Sequence, residues 1–310
     1  MFDDFSALRD SRILITGADG MLGRAFAEAL RAQSPETCVL ARSRAMLDVT
    51  DVDQVMSQEV DAPDIIVHCA GLTNADQCER EPELARRVHA DGTRNVVRLA
   101  RAISARVFYP QSVFIFDGSE LPVTETTTPW PGFTYGRVKL EAERHVLSML
   151  PGSLVVRMAG FFGGDEKDKN FVGWFVQTME RMLAAGATDV EVGDRIWQPT
   201  YTLDLAMNSL LLLTLRRTGV YHMGSNGEAT FHAVAQACVD SLGLARRIRV
   251  IPAPSRPCDT KEPAKRPSRM VTRNDRLCAE RLDRQRDWRT ALHEYLQRPY
   301  FDRLRHAAME

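Results

Sequence analysis

The chain has few of the features that mark membrane or exported proteins. Its leucine run at residues 210–213 is far shorter than the roughly 20 apolar residues that a helix needs to cross a bilayer. Asp3, Asp4 and Asp10 lie where a signal peptide would carry basic residues and then a long apolar segment. We therefore expect neither a membrane segment nor an export signal.

Cysteine is scarce, and neither sign of charge dominates. The six cysteines lack C-x-x-C spacing and lie at Cys38, Cys69, Cys78, Cys238, Cys258 and Cys278. This pattern argues against a structural zinc site, predicts no metal and favours a reduced, cytoplasmic location. The formal net charge is −1, and acidic residues alternate with the arginines and lysines that follow residue 246. Solvated helix faces are thus favoured over a nucleic-acid-binding surface.

The chain does contain enough apolar material for a large core, because 44% of its 310 residues are hydrophobic. Short apolar strands alternate with helical segments, beginning at Ile13. The alternation predicts an α/β fold of the Rossmann type, a doubly wound parallel sheet with a smaller C-terminal substrate-binding lobe. We expect residues 1–154 to form the NAD(P)-binding domain and residues 190–223 to return to it. Residues 155–189 and 224–310 would then form the smaller lobe.

Three glycines join the first strand to the first helix. Gly17 permits a tight turn, Gly20 lets a pyrophosphate approach the backbone, and Gly23 allows close packing of helix and strand. The N–H groups of the first helical turn, with the positive end of the helix dipole, would face the phosphates. The spacing is G-x-x-G-x-x-G, not the general G-x-G-x-x-G, and an ordinary glycine turn is the alternative. We expect cofactor contacts from Gly17, Asp19, Gly20, Met21, Leu22 and Gly23.

The end of the second predicted strand bears on the choice of cofactor. An NAD site usually carries Asp or Glu about 20 residues after the loop, whereas Arg suits a 2′-phosphate. Residues 37–47 contain no Asp or Glu, but they contain Arg42 and Arg44. NADP is therefore favoured, with NAD or merely solvated arginines as alternatives. The remaining expected cofactor contacts are Ser43, Asp48 and Val49, with Asp48 at the adenine, and the small residues Cys69, Ala70 and Gly71 that end the next strand.

A serine and a tyrosine–lysine pair suggest carbonyl chemistry. Ser112 follows a predicted strand that starts at Arg106, and Tyr135 and Lys139 open a helix. Because these two residues are four apart, their side chains lie on one helical face. That spacing alone is common. After a glycine loop and a strand-end serine, it indicates reduction of a carbonyl.

Together these motifs resemble the extended short-chain dehydrogenase/reductases, and within them the dTDP-4-dehydrorhamnose reductase-like family. The resemblance covers nearly the whole chain. It rests on Thr16-Gly17-x-x-Gly20-x-x-Gly23, Leu47 to Asp51, Pro63 to Ala70, Glu81 to Ala85, Ala90 to Gly92, Phe116 to Gly118, Tyr135-Gly136-x-x-Lys139-Leu140 with Glu143, Asn170-Phe171, Pro199-Thr200, Gly219 to His222 and Arg266-Pro267. The superfamily is marked by the glycine motif and the tyrosine–lysine motif. The reductase branch is indicated by the turn at Phe116 to Gly118, by Pro199-Thr200 and by Arg266-Pro267.

The resemblance implies a catalytic trio. Ser112 would donate a hydrogen bond to the substrate carbonyl, and Tyr135 would act as general acid as hydride reaches the carbonyl carbon. Lys139 would lower the pKa of the phenol and hold the nicotinamide ribose, so Tyr135 and Lys139 would also contact the cofactor. The substrate contacts implied are Ser112, Val113, Gly160, Asn170, Arg195, Gln198 and Arg266. Surface-loop roles are the alternative for Arg195 and Arg266.

Three departures from the family pattern concern the sugar pocket. Val113 stands where an Asp is common, His89 replaces a frequent Asn, and residues 158–162 replace a segment that usually contains a Trp over the sugar. An acid and an aromatic wall are thus missing from the expected pocket.

The favoured function is an NAD(P)H-dependent reductase, with NADPH preferred, acting on a nucleotide-activated 4-keto-deoxysugar. A non-catalytic NADP-binding subunit is a second hypothesis, because the regulatory subunit of methionine adenosyltransferase shares these motifs. A nucleotide-sugar epimerase is a third. The expected partner is a nucleotide-sugar substrate, without nucleic acid or membrane, and a homodimer is left open.

Overall fold

The computed structural model describes residues 5–253 and 262–308. Asp3, Asp4, Cys258 and part of the proline-rich stretch near residue 256 lie outside these ranges. The strands are β1 (Arg12–Thr16), β2 (Cys38–Arg42), β3 (Ile65–His68), β4 (Arg106–Ser112), β5 (Leu154–Met158), β6 (Phe161–Phe162), β7 (Asp189–Gly193), β8 (Ile196–Trp197), β9 (Thr200–Tyr201), β10 (Gly219–Met223), β11 (Ala229–Thr230) and β12 (Arg249–Ala253).

The helices include one π-helical segment, Arg87–Asp91, between two α-helices. The α-helices are α1 (Met21–Gln33), α2 (Val52–Met56), α3 (Ala75–Arg80), α4 (Pro82–Arg86), α5 (Gly92–Ala102), α6 (Thr134–Met149), α7 (Phe171–Ala185), α8 (Thr202–Thr214), α9 (Phe231–Ser241), α10 (Asp275–Ala279), α11 (Trp288–Leu296) and α12 (Asp302–Ala307). None of the helices within the described ranges is both long and apolar enough to cross a membrane.

Six strands form one parallel sheet in the order β10-β5-β4-β3-β1-β2. The strand order reverses between β1 and β3. Open α/β sheets bind ligands at such a switch point, beyond the carboxyl ends of the strands. The turn after β1 and the segment after β3 therefore border the expected cofactor cleft.

Helices cover both faces of the sheet. On one face, α1 and α8 pack together over a core that includes Phe26, Phe108 and Leu210. On the other face, α2, α5 and α6 enclose a second core with Val96, Val107 and Val146. Strands buried on both sides need apolar residues at nearly every position, which explains the continuous run of residues 13–15. The predicted doubly wound α/β class is confirmed.

The remaining elements surround a third core, built mainly from α7, α9 and α11, with Phe175, Val234 and Leu292 fully buried. In this part β12 pairs with β7, β11 with β8, and β6 with β9.

Two expected domain boundaries differ from the structure. Strand β7 pairs with β12 and not with the large sheet, so the expected return of residues 190–223 begins too early. The expected boundary at residue 154 also cuts β5, which lies between β4 and β10. A strand's alternation of residues predicts that it is extended, but it does not identify its neighbour.

A buried ion pair fastens α6 to the sheet. Arg157 on β5 donates from Nη2 to Oε1 of Glu143 at 2.5 Å and from Nε to Oε2 at 3.2 Å. The side chains are only 7% and 3% exposed. The guanidinium also approaches Nε2 of His222 on β10 at 3.4 Å. The pair thus joins the helix that carries Tyr135 to two adjacent strands.

Removing one member of this pair should be strongly destabilising, because the other charge would stay buried without a partner. We expect Arg157→Met to lower the free energy of unfolding by about 3–5 kcal/mol, and Glu143→Met/Arg157→Met to recover much of that loss. Urea unfolding measures both. Arg249→Met, which breaks the exposed pair with Asp189, is the control. A loss in Arg157→Met no larger than in this control would contradict the prediction.

Candidate active site

The glycine loop makes a close backbone crossing beside the end of β3. Gly17 has φ +63°, and a Cβ there would lie 2.7 Å from the backbone N and Cα of Ala70. Gly23 in α1 packs directly on the carbonyl of Gly17. A side chain at either position would force β1, β3 and α1 apart. The glycines at 17 and 23 are therefore required by the chain's own packing.

The start of α1 is open to solvent. Gly20 is the N-cap residue, and its N–H donates to the carbonyl of Gly17 at 3.0 Å. Asp19 and Gly20 are exposed, whereas the side chain of Leu22 is in the core. Only the backbone of Leu22 is consequently suited to a ligand. A helix N-terminus with an exposed glycine N-cap is a suitable place for a pyrophosphate.

A series of buried side-chain hydrogen bonds lies next to the glycine loop. Thr16 Oγ1 bonds to Nδ1 of His68 at 2.8 Å and accepts from the N–H of Ala70 at 3.2 Å. Nε2 of His68 bonds to Oγ1 of Thr93 at 3.1 Å. Burial, with the charge of Lys139 nearby, lowers the pKa of His68 to about 3, so the ring is neutral at physiological pH. The ends of β1 and β3 are thereby held together.

The two arginines after β2 differ in their surroundings. Arg42 donates to Asp61 at 2.7 Å and to Gln58 at 3.1 Å, while its carbonyl accepts from the N–H of Ala18 in the glycine loop. Arg44 is 78% exposed and lies 3.8 Å from Asp48. Arg42 is thus engaged within the chain, contrary to a freely available phosphate contact, whereas Arg44 can turn toward a ligand.

The other expected cofactor contacts beside Arg44 are partly used inside the protein. Asp48 accepts from the N–H and the hydroxyl of Thr50, and these bonds hold its pKa below the usual value. Val49 is buried under Gly92. Ser43 accepts backbone bonds from residues 46 and 47 through its carbonyl. These residues shape the rim of the cleft chiefly through their backbone.

The last three residues of β4 hold α6 at three points. Lys139 Nζ donates to the carbonyl of Pro110 at 2.6 Å. Gln111 donates from Nε2 to the carbonyl of Lys139 at 2.9 Å and accepts from the N–H of Ser112 at 2.8 Å. The hydroxyl of Ser112 is near enough to that of Tyr135 to lower the pKa of the phenol. The structure therefore brings the expected trio together at the carboxyl edge of the sheet.

Gln111 was not anticipated from the sequence. Its amide is buried and connects the backbone of Ser112 to that of Lys139. A glutamine within a strand carries no signal of this role, because the partner atoms belong to a helix 28 residues away. Gly136 completes the junction, since a Cβ there would lie 2.8 Å from Pro131 and collide with the carbonyl of Phe114.

The phenol of Tyr135 is kept protonated. Burial raises its pKa above the ordinary value, and the nearby Cys78 raises it further, whereas the hydroxyl of Ser112 lowers it. The Ser112 Oγ also accepts from the N–H of Phe114 at 3.1 Å, which leaves the serine proton free to donate elsewhere. A protonated phenol next to a serine donor is suited to supply a proton to a carbonyl oxygen.

Lys139 is 7% exposed, and its ammonium lies 4.1 Å from the ring centre of Tyr109. Burial lowers its pKa to about 7, although Glu143 and Cys69 act in the opposite direction. The thiol of Cys69 has its own pKa raised to about 12 by burial. Lys139 thus carries a proton that it can lose near neutral pH.

His89, in the π-helical segment, packs against the phenol. Its ring meets the ring of Tyr135 edge to face at 5.4 Å, and Nε2 lies 2.9 Å from the carbonyl of Leu72. A Cβ on Gly71 would be 2.9 Å from the imidazole. Burial lowers the pKa of His89 to about 3. The residue that departs from the family pattern therefore acts as a neutral support for Tyr135 and for the turn after β3.

Two expected substrate contacts are built into the protein interior. Val113 is buried in a core with Ile115 and Val123, because it begins the turn that folds back under the site. Gln198 is also buried, and its amide donates to the carbonyls of Ser225 and Thr272 and accepts from the N–H of Thr272. Val113 therefore belongs to the core, and the amide of Gln198 has its partners within the protein. The expected substrate contacts from these two residues are wrong, and both have structural roles.

Arg266 lies at the carboxyl edge of the sheet, next to helix α3. It binds both carboxylate oxygens of Asp76, at 2.9 and 3.1 Å, and Glu262 at 3.2 Å. Burial alone would raise the pKa of Asp76, but the bonds from Arg266 and from the N–H of Ala264 lower it. Arg195 also pairs with Glu262, at 3.3 Å. Both arginines are therefore near the cleft but have carboxylate partners.

Asn170 and Gly160 face the opposite side of the cleft. Asn170 is exposed, donates to the carbonyl of Phe161 at 2.7 Å and approaches the sulfur of Met21 at 3.9 Å. It thus connects the smaller lobe with the start of α1. Gly160 is exposed and follows β5, whose Met158 pairs with Ser112.

Comparison with known proteins places these features in a family. The family model described as "RmlD substrate binding domain" matches residues 11–301. The chain belongs to this family. The resemblance inferred from the sequence motifs is thereby confirmed.

Relatives and solved structures agree with this assignment. A dTDP-4-dehydrorhamnose reductase of Mycolicibacterium smegmatis is 35% identical over 291 residues, which cover 91% of this chain and 84% of the relative. The dTDP-4-dehydrorhamnose reductase of Bacillus anthracis, solved in complex with NADP, is 27% identical with a TM-score of 0.81, covering 93% of this chain and 99% of that one. A methionine adenosyltransferase 2 subunit beta of Xenopus laevis is 31% identical over 245 residues, covering 75% of this chain and 72% of the relative.

The burial of Lys139 predicts a pH-dependent term in stability. Its pKa is about 7 in the folded protein and near the ordinary 10.5 in the unfolded chain. Between these values the unfolded chain binds more protons, so the contribution of Lys139 to stability rises with pH. We expect the unfolding free energy of the unmodified protein, minus that of Lys139→Met, to increase between about pH 7 and pH 9.

Urea unfolding of both proteins across this range measures the difference, and groups common to both cancel. Lys169→Met, at an exposed lysine, is the matched control and should run parallel to the unmodified protein. Parallel curves for Lys139→Met as well would show that the ammonium is not buried as described.

Proposed function

We propose that this chain is an NADPH-dependent reductase of a dTDP-linked 4-keto-deoxysugar. The observation that carries the proposal is the junction of β4 and α6, where Ser112, Tyr135 and Lys139 meet beside the glycine loop. The names of the relatives as reductases of such sugars support the substrate class.

The residues around the switch point fit a dinucleotide. The first turn of α1, behind the exposed N-cap Gly20, would offer backbone N–H groups to the pyrophosphate, and Gly17 places no side chain beside Ala70. The exposed Arg44 would contact a 2′-phosphate, and Lys139 would hold a ribose hydroxyl. When bound, the cofactor supplies hydride to the carbonyl carbon of the sugar.

Residues of this chain would orient the carbonyl and donate the proton to its oxygen. Ser112 turns its free O–H toward the substrate carbonyl and orients it. Tyr135 transfers its phenolic proton to the oxygen as negative charge develops there. Lys139, one helical turn further along α6, would stabilise the resulting phenolate by its positive charge until a proton returns from solvent. No covalent bond between enzyme and substrate is required.

Tyr135→Phe tests this chemistry, because it removes one oxygen and keeps the ring that packs on His89. We expect kcat to fall about 10²- to 10⁴-fold, while the Kd for NADPH changes little. NADPH oxidation with a panel of dTDP-linked 4-keto sugars, and NMR identification of the product, measure it. Tyr300→Phe, at an exposed tyrosine, is the control. Undiminished kcat in Tyr135→Phe would remove Tyr135 as the acid.

Arg44 should favour NADPH over NADH. Arg44→Ala should narrow the preference by about tenfold, the order expected for one partly screened charge-assisted contact. Arg42→Ala should have a smaller effect, since Arg42 is paired with Asp61. Calorimetric titration of both cofactors measures these changes. Equal affinities of the unmodified protein for NADPH and NADH would contradict the proposal.

The regulatory-subunit hypothesis is not favoured, because relatives that match 91% of this chain are named as reductases, whereas the Xenopus subunit matches 75%. The two functions differ in one measurement. An enzyme reduces at least one sugar of the panel, whereas a regulatory subunit binds NADPH tightly and reduces none.

A further inference from the structure

An indole ring lies directly over the bare backbone of Gly160. A Cβ built on Gly160 would be 3.0 Å from Cε3 and 3.4 Å from Cζ3 of Trp197. The six-membered ring of Trp197 therefore occupies the volume that a side chain at position 160 would enter. Gly160 itself is exposed, and its backbone is outside the left-handed region, so conformation does not demand glycine there.

This place belongs to the edge of the candidate active site. Met158, the last residue of β5, pairs with Ser112 on β4, and Gly160 follows two residues later. The carbonyl of Gly160 accepts from the N–H of Thr200 at 3.0 Å, which joins this segment to the strand that follows Trp197. The indole thus lies beside the backbone segment that directly follows the strand paired with Ser112.

The ring is held firmly on its other sides. Trp197 lies on β8, where it pairs with Ala229 of β11. Phe231 meets the indole edge to face at 5.6 Å, and Phe171 does so at 6.3 Å. Side chains locked in this way on strands present a preformed surface to a ligand.

Packing alone does not explain why this residue is a tryptophan. Its Nε1 is buried without a hydrogen-bond partner among the described residues. An unsatisfied buried donor lowers stability, so phenylalanine would serve a purely structural role better. The retained indole indicates a use for its larger apolar surface or for its N–H once a ligand is bound.

We propose that Trp197 forms the aromatic wall of the sugar pocket and thereby selects a deoxyhexose. This inference rests on the proposed function. One face of a hexose ring exposes mainly C–H groups, and a 6-deoxy sugar adds a methyl group, so both pack well against an aromatic surface. The wall that residues 158–162 lack is supplied by a different strand.

Exchanging the residues at positions 160 and 197 tests the proposal. We expect Trp197→Ala to raise KM for the dTDP-sugar by about 10- to 100-fold, the range expected when an aromatic anchor is removed, with the Kd for NADPH unchanged. Gly160→Trp alone should also impair sugar binding, because its ring collides with Trp197. The double variant Gly160→Trp/Trp197→Ala should recover KM to within about threefold of the unmodified protein.

Trp197→Phe separates a wall from a packing role. It keeps a ring and removes the unpaired N–H, so we expect a thermal midpoint at least equal to that of the unmodified protein, with a smaller rise in KM than for Trp197→Ala. Circular dichroism and NADPH affinity identify variants that misfold. An unchanged KM in folded Trp197→Ala, or a folded double variant without recovery, would overturn the proposal.

Calorimetric binding of dTDP-glucose in the presence of NADP distinguishes this inference from the proposed reduction. If the unmodified protein binds the nucleotide sugar but reduces none, reduction fails while a weaker affinity in Trp197→Ala still supports the wall. If the unmodified protein does not bind it, or if Trp197→Ala binds it equally well, the wall is wrong.

Discussion

A single lysine ammonium buried beneath the carboxyl edge of the sheet constrains the arrangement around it. Removing Lys139 from water is unfavourable, as its pKa of about 7 reflects. The carbonyl of Pro110 and the ring of Tyr109 replace part of the lost solvation. Both partners lie on β4, so α6 can satisfy its lysine only in one position across that strand. The same position places Tyr135 against Ser112.

The electrostatic support continues one helical turn further along α6. Glu143 raises the pKa of Lys139 toward its ordinary value while forming its own bonds with Arg157. Arg157 in turn approaches His222, whose other nitrogen bonds to the hydroxyl of Thr272. Because the N–H of Thr272 also donates to the amide oxygen of Gln198, the network runs from α6 to the strands beside Trp197. Polar groups buried in one connected network hold distant elements in register better than isolated pairs do.

Local patterns in the sequence predicted much of the fold and the residues that lie together at the candidate active site. The glycine spacing, the apolar strands and the four-residue separation of Tyr135 and Lys139 depend on geometry within one element or across one turn. Such geometry is set by nearby residues, and the structure has it as expected. The alternation of strands and helices was also sufficient for the parallel sheet, since connections of that kind favour it.

The sequence could not predict which partners distant residues choose. Arg42 suggested a phosphate contact, but Asp61 is within 2.7 Å of it in the fold. Val113 and Gln198 were expected to contact the substrate, yet the backbone turns their side chains into the interior. The strand at residues 189–193 was recognised, whereas its pairing with β12 depends on a segment 60 residues away. Each of these outcomes is decided by tertiary packing, on which local composition carries little information.

The relation between Gly160 and Trp197 shows the same limit at the level of function. Read along the chain, residues 158–162 lack the aromatic side chain that the family resemblance leads one to expect. In space, an aromatic ring is present at that place, because the absence of a side chain at 160 leaves room for the indole from β8. Gly160 without Trp197 would leave a gap, and Trp197 without Gly160 would have no room for its ring. Each residue is therefore unfavourable without the other. A pocket wall is defined by the volume that its side chain fills. Where two chain segments meet at the same edge, a side chain from either segment can fill that volume.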